Sequence, residues 1–289
     1  MNAADAPGRE RGQTLRRRLA YTLLLGYALL MFVPFAWTVI TSFKTLPDAT
    51  RLTVIPDPIT LGAWEYTLSR LDPSVVVLFA NSVFIAAAVT VTNVAFGSLA
   101  GYAFARLRFP GRDALFLIVL ATLMIPDQLR VVPVYILFSS VGLTVGAGQY
   151  VAVIFVTAVS ATSIFLLRQY FLTIPRELEE AARIDGAGFF TTFWRVMLPL
   201  ATPALAAVTI LAFQGAWNGL FWPAVFLSPD SDHWTLPLGL TLFRLTGGQG
   251  TNWPPLMATV VIATIPILLL YIVFQRYFVE GIAAAGVKG

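Results

Sequence analysis

Six stretches of about 20 mostly apolar residues constrain this chain more than any other feature, because each is long enough to cross a bilayer as an α-helix. Their approximate bounds are residues 20–43, 79–105, 114–138, 149–172, 200–222 and 256–278. A hydrocarbon core about 30 Å thick needs about 20 helical residues, each rising about 1.5 Å. Strands are disfavoured, since an open strand edge in lipid leaves backbone groups unpaired. We therefore predict an all-α integral membrane protein with six transmembrane helices.

The composition supports a membrane protein and excludes several kinds of active site. Of the 289 residues, 57% are hydrophobic and 12% are charged, whereas about 25% of the residues in soluble domains are charged. The chain has no cysteine and a single histidine, His233. Disulfides, thiolate metal sites and histidine clusters are therefore excluded, and no Ser-His-Asp or metal constellation is available for catalysis. We expect a non-catalytic chain without a metal site.

The distribution of basic residues predicts the orientation in the membrane. All but five of the 19 Lys and Arg residues lie in the N-terminal segment, the 106–113 loop, the 168–198 segment or the C-terminal end. The positive-inside rule therefore places both termini in the cytoplasm, which six spans satisfy. The net charge of +4 then reflects topology, and we expect no nucleic-acid partner. We predict a cytoplasmic segment at 1–19, one transmembrane domain at 20–278 and a cytoplasmic tail at 279–289.

The polar segment between the fourth and fifth spans is strongly helical in pattern. We expect a helix that begins at Pro175, a residue suited to the first helical position, and ends at Gly186. A second short helix is predicted over residues 189–197. The first helix could be an ordinary solvated surface helix, or its narrow face of small residues could receive another protein. This face consists of Leu178, Ala181, Ala182 and Asp185.

Several motifs in this segment and beyond resemble one family of transporters. Glu180-Ala181-Ala182, Gly186 and Val196-x-Leu198-Pro199 follow the EAA signature of bacterial ABC-importer permeases, in which Ile is commoner than Val at position 196. The chain also resembles the binding-protein-dependent carbohydrate permeases of the MalG type. The further matches are Asn81-Ser82, Gly101 to Arg106, Pro126, Pro133, Trp217-Asn218, Met257-Ala258, Pro266, Gln275-Arg276, Gly281 and Gly286 to Gly289.

The resemblance implies a fold, a function and a set of partners. The fold would be the type I ABC-importer permease fold, in a prokaryotic cell membrane. The chain would move a sugar delivered by an external solute-binding protein, together with a homologous sister permease and two ABC ATPase subunits. The segment at about 175–199 would dock on an ATPase through Glu180, Ala181, Ala182, Asp185, Gly186, Leu198 and Pro199. The terminal residues Gly286, Val287, Lys288 and Gly289 would reach between the ATPases.

The chain itself cannot supply the ATP chemistry that such an importer needs. A P-loop requires Gly-Lys followed by Ser or Thr, and the only lysines, Lys44 and Lys288, follow Phe43 and Val287. We therefore expect ATP and magnesium to bind to partner subunits and no cofactor to bind to this chain.

Polar residues within the spans are candidates for the translocation path. Asp127 and Arg130 lie in the third span, where an unpaired charge costs about 2.5–3.5 kcal/mol. The pair could line the path on a broken helix, or could neutralise itself beside a proline kink. Trp217 and Asn218 could offer a sugar a stacking face and hydrogen bonds, although packing is the better explanation, since aromatic residues are common in membrane helices. Trp222 fits an interfacial aromatic belt.

Three other functions remain open at this stage. The EAA signature is shared by ABC importers of peptides and other solutes, although the carbohydrate-type motifs favour sugar. An ATP-independent carrier would need a complete path in one chain, typically built from inverted repeats, and no repeat is evident. A membrane enzyme is disfavoured by the lack of catalytic residues.

Overall fold

The computed structural model describes residues 6–51, 53–245 and 251–286. The described residues form helices and no strand. The α-helices are α1 Ala6–Thr41, α2 Leu46–Ala49, α3 Gly62–Ser69, α4 Val75–Arg106, α5 Arg112–Ala121, α6 Asp127–Ser140, α7 Gly148–Thr157, α8 Ala161–Thr173, α9 Glu177–Ile184, α10 Phe189–Thr192, α11 Leu198–Leu200, α12 Thr202–Trp217, α13 Phe221–Phe226, α14 Leu236–Leu245 and α15 Trp253–Gly286. Short 3₁₀ helices at Thr122–Met124 and Ser231–His233 and a π-helix at Phe193–Met197 complete the set.

The predicted spans all fall on helical segments, but two of them are broken. Among the described residues, four helical segments are individually long and apolar enough to cross a membrane: Arg16–Thr41, Val75–Arg106, Thr202–Phe226 and Trp253–Gln275. The third and fourth predicted spans are bent pairs, Arg112–Met124 with Asp127–Ser140 at 101° and Gly148–Thr157 with Ala161–Thr173 at 44°. Counting each pair as one span gives six. The fold class is therefore confirmed. A broken helix was one interpretation of the Asp127–Arg130 pair in the third span, whereas the break in the fourth span was not predicted.

The chain divides into two compact units. The first comprises residues 1–70 and 249–262, and it includes α1, whose apolar side chains are exposed along most of its length. The loop after α1 is folded around Lys44, which is buried and donates hydrogen bonds to the backbone and hydroxyl oxygens of Thr53. The hydroxyl of Thr53 donates to Asp48 Oδ1 at 2.9 Å. Thr53 thus connects the buried Lys44 to the carboxylate of Asp48.

The second unit comprises residues 71–248 and 263–289, and α4 is its central helix. Gly97 and Gly101 lie on the face of α4 that meets Ser163 and Leu167 of α8. Small residues at this spacing let two membrane helices approach closely. At the end of α4, Tyr102 packs against the rings of Phe171, Phe189 and Phe193 at centroid distances of 5.1–5.5 Å, which ties the polar segment after α8 to the helical core. Tyr102, Phe171 and Phe193 belong to one buried cluster, and a second buried cluster among the described residues includes Val89, Phe138 and Trp222.

Candidate functional site

Helix α9 and the turn that follows it form the first candidate site. The helix covers Glu177–Ile184, so it begins two residues after the predicted start at Pro175. Glutamates at 177, 179 and 180 occupy its first turn, where they interact favourably with the positive end of the helix dipole. Gly186 ends the segment with φ +82°, a left-handed conformation that glycine adopts at little cost. The predicted stop at Gly186 is therefore confirmed.

The outer face of α9 is open to solvent. Glu180, Ala181 and Asp185 are exposed and Ala182 is half-buried. Ile184 is 87% exposed and Leu178 is also exposed. A short helix that displays a large aliphatic side chain beside acidic groups offers both apolar area and charge to another surface.

The second short helix of this segment contains a π-turn. The predicted helix over residues 189–197 is found as α10 followed directly by the π-helix Phe193–Met197. Phe193 and Met197 are fully buried, whereas Pro199 is exposed and Leu198 is half-buried. The π-turn therefore anchors the segment through its inner face, and Leu198 and Pro199 follow it as the start of the next span.

A buried ion pair joins α9 to the end of α4. Arg106 Nε and Glu179 Oε1 are 3.2 Å apart, and their side chains are 4% and 9% exposed. Neither atom has a partner in hydrogen-bond geometry, so the contact is an ion pair without an aligned hydrogen bond. Arg106 also donates to the backbone oxygens of Phe171, at 2.6 Å, and Ile174. From sequence, Arg106 was a topology signal and part of a family motif, and Glu179 was one of three glutamates that favour the start of the helix; their contact was not predicted.

The second candidate site is a cavity of about 690 Å³ in the second unit. Both helix breaks border it, through residues 122–125 of the first bent pair and 157–161 of the second. A pocket of this size is within the range that accommodates small organic ligands. Among the residues that the structure describes, Asp127 and Arg130 are the charged ones in its lining.

Asp127, Arg130 and Trp222 form a connected polar group in this cavity. Arg130 Nε donates to Asp127 Oδ1 at 2.9 Å, and Trp222 Nε1 donates to Asp127 Oδ2 at 3.1 Å. The guanidinium lies 5.5 Å from the centroid of the Trp222 ring, a distance typical of cation–π contacts. Asp127 is the first residue of α6, directly after the break. Sequence alone favoured an interfacial aromatic belt for Trp222, since its contact with Asp127 on another helix forms only in the folded chain.

Asn93 is a further polar residue of the cavity that the sequence analysis did not single out. Its amide donates to the C=O of Thr157, the last residue of α7, at 2.8 Å. Its side-chain oxygen accepts from the Ser163 hydroxyl at 3.2 Å. Asn93 thus bridges the second helix break from one segment to the other.

The other predicted path residues lie elsewhere. Trp217 is buried, donates to the C=O of Ala263 at 3.1 Å and stacks on Phe213. Asn218 is exposed and follows the last residue of α12. Neither is part of the cavity lining. Of the predicted tail contact, Gly286 is the last residue of α15, and residues 287–289 lie outside the described residues.

Known proteins resemble the chain over nearly its whole length. Residues 93–283 match the family described as "Binding-protein-dependent transport system inner membrane component". The arabinooligosaccharides transport system permease protein AraQ of Halalkalibacterium halodurans is 37% identical over 277 residues, which are 94% of this chain and 97% of that protein. The diacetylchitobiose uptake system permease protein NgcG of Streptomyces coelicolor is 31% identical over 262 residues, 89% of this chain and 84% of that protein.

A solved structure has the same fold. It is the crystal structure of a bacterial ABC transporter involved in the import of the acidic polysaccharide alginate. The matched chain is 26% identical, with a TM-score of 0.78, and the match covers 96% of this chain and all of the other.

Proposed function

Because the chain belongs to the family of inner membrane components of binding-protein-dependent transport systems, we propose that it is the permease subunit of an ABC importer for saccharides. An external binding protein delivers the saccharide, and a sister permease completes the path. Two ABC ATPase subunits bind ATP and magnesium and drive the cycle. The observation that carries this proposal is the outward face of α9, an exposed helix whose motif matches the EAA signature. The relatives named as permeases for arabinooligosaccharides and diacetylchitobiose support the saccharide.

In this proposal, α9 is the element that docks on an ATPase. Ile184 and Ala181 supply apolar contact area, and Glu180 supplies a charge for a basic residue of the partner. Asp185 and Gly186 form the turn that ends the docking helix, while Leu198 and Pro199 connect the segment to the fifth span. In this proposal the docking segment, both termini and the tail at 279–289 lie on the cytoplasmic side of a prokaryotic cell membrane, as the positive-inside rule also predicts. Residues 286–289 of the tail would reach between the ATPases.

The cavity at the helix breaks is our candidate for the part of the path supplied by this chain. A saccharide offers hydroxyl groups to Asp127 and Arg130 and C–H faces to the ring of Trp222, and a few placed polar groups in an apolar pocket are typical of ligand sites. The carboxylate and the guanidinium already neutralise each other. This charge balance favours a neutral saccharide. An acidic saccharide is a second candidate, favoured by the similarity to the alginate importer.

The docking proposal is tested by co-purification of the tagged chain with its ATPase. We expect Glu180→Arg to release the ATPase, because a reversed charge repels the basic partner. Glu177→Arg is the matched control, since Glu177 is exposed on the same helix and should retain the ATPase. Equal retention in both variants contradicts docking through Glu180. A wild-type chain that takes up a saccharide without ATP contradicts the importer itself.

The path proposal is tested by uptake into proteoliposomes that contain the complete complex. We expect neutral oligosaccharides to be taken up and acidic ones of the same length to be poor substrates. Asp127→Asn should reduce uptake while the complex is recovered in normal yield, because the cavity then carries an unbalanced guanidinium. Normal uptake with poor recovery would assign Asp127 to folding instead.

A further inference from the structure

We propose that the Arg106–Glu179 ion pair is the joint that transmits movement of helix α9 to the membrane-spanning helices α4 and α8. Arg106 is the last residue of α4. Its guanidinium holds the backbone oxygens of Phe171 on α8 and of Ile174 just beyond it. Glu179 lies on α9 and contacts the same guanidinium. One side chain therefore connects three elements, and this inference rests on the proposed docking of an ATPase on α9.

Glu179 points from α9 into the interior of the second unit, where it contacts Arg106. Of the eight residues of this helix, Glu179 is the one that is buried. Glu180 follows it in sequence and is exposed, because successive residues of an α-helix point about 100° apart. A partner bound to Glu180 and Ile184 would therefore pull on one side of α9. The contact of Glu179 with Arg106, on a different side of the helix, would oppose a movement of α9 relative to α4.

The chemistry of the ion pair suits a contact that transmits movement from α9 to α4. A buried charge is tolerated only with a partner close by, so displacement of Glu179 draws Arg106 with it or leaves both charges uncompensated. Arginine presents several donors in a rigid planar fork. It can therefore hold two backbone oxygens while it pairs with a carboxylate. An apolar contact of the same area would permit α9 to slide or rotate. We infer that the pair positions α9 and takes no part in binding the saccharide.

The variants Glu179→Gln and Arg106→Lys test this proposal. Glu179→Gln keeps the shape of the side chain and removes its charge, and Glu177→Gln is the matched control on the exposed side of α9. Arg106→Lys keeps the charge and loses the planar fork, so it remains informative if the first variant does not fold. Three quantities are measured in the complete complex: retention of the ATPase, saccharide uptake, and the uptake-linked increase in ATP hydrolysis.

A distance measurement in the same complex distinguishes a role of the ion pair in positioning α9 from a role in folding of the chain. The chain has no cysteine, so Arg183→Cys on α9, an exposed position outside the proposed docking contact, and Phe96→Cys on α4, also exposed, can carry spin labels without background from this chain. The wild-type protein should give one narrow distance distribution. Loss of the ion pair should broaden or shift it.

The expected result is that Glu179→Gln retains the ATPase but loses about tenfold in uptake and in linked ATP hydrolysis, a change within the range of typical coupling between sites. Arg106→Lys should show uptake and linked ATP hydrolysis between those of Glu179→Gln and of the wild type. Glu177→Gln should match the wild type in both quantities. Unchanged uptake and an unchanged distance distribution in Glu179→Gln would overturn the proposal. Loss of the ATPase together with uptake, as expected for Glu180→Arg, would also overturn it. If the wild-type chain retained no ATPase, the proposed function would fail instead, and the label distances would decide whether the pair positions α9.

Discussion

Gly101 lies at a close approach of helices α4 and α8, and it allows a quantitative test of their packing. An ideal Cβ added at Gly101 would lie 3.0 Å from the backbone nitrogen of Arg168 and 3.0 Å from Leu167 Cβ. Carbon atoms in favourable contact are about 3.5–4.0 Å apart. Gly101→Ala therefore requires the α8 backbone to move by several tenths of an ångström, since backbone atoms cannot swing aside as a side chain can.

The expected change in the free energy of unfolding of Gly101→Ala follows from two opposing effects. Overpacking of a close contact costs about 1–3 kcal/mol, while Ala is favoured over Gly in a helix by about 1 kcal/mol. Gly26→Ala is the matched control, because Gly26 lies within helix α1 and an added Cβ there meets nothing within 4 Å. The propensity term is common to both variants. The difference between their free energies of unfolding should therefore be about 1–3 kcal/mol, with Gly101→Ala the less stable.

The assay is reversible unfolding in detergent micelles, followed by circular dichroism and compared at matched protein concentration. Gly101→Leu should be less stable again, since the longer side chain has no space between the helices. A Gly101→Ala variant whose free energy of unfolding is within about 0.5 kcal/mol of the Gly26→Ala variant, the usual range of neutral surface substitutions, would refute close packing at this position.

Three further predictions concern the loop after α1, the cavity and the docking segment. Asn93→Ala should lower the free energy of unfolding by about 1 kcal/mol, because two interhelical hydrogen bonds are each worth about 0.6 kcal/mol in a membrane protein; the same unfolding assay measures it. The hydrogen bond from Thr53 holds the pKa of Asp48 below its ordinary value. The stabilisation of the loop should therefore be complete above the unfolded pKa of about 3.9. As the pH falls through the lower folded pKa, the backbone amides of the loop should lose protection from exchange. Hydrogen exchange measures this loss, and Asp48→Asn should abolish its pH dependence. Gly186→Ala should weaken ATPase retention, because a left-handed residue with a Cβ costs about 1–2 kcal/mol, whereas Gly188→Ala, at φ −73°, should not.

The positions of the spans could be predicted from sequence because bilayer thickness fixes their length. Hydropathy alone located all six within a few residues of the helical segments found. The turn at Gly186 was equally accessible, since few residues other than glycine adopt the positive φ that the turn requires.

The helix breaks were less predictable. Pro126 immediately precedes α6 at the first break, yet Pro133 lies inside the same helix without ending it. The second break, before Ala161, carries no proline at all. Whether a helix bends depends on partners for the freed backbone groups, and here one such partner is Asn93 on a different helix.

The role of Glu179 was also inaccessible from the local pattern. Three glutamates share the first turn of α9, and the sequence motif singled out Glu180. Which of the three is buried depends on Arg106, a residue on another helix that reaches α9 only in the folded chain. The same limit applied to Trp222 and Asp127, which form a hydrogen bond although they lie 95 residues apart in the sequence.

The two helix breaks also bear on how one scaffold can accept different cargo. At a break, backbone oxygens leave the repeating pattern of the helix and turn toward side chains or water, as the C=O of Thr157 does toward Asn93. Backbone oxygens are the same whichever amino acids carry them. A cavity bordered by such groups keeps part of its affinity for hydroxyl-bearing molecules when its side chains are exchanged. Substitution of a few neighbouring side chains could then redirect the permease from one saccharide to another without rebuilding the helices.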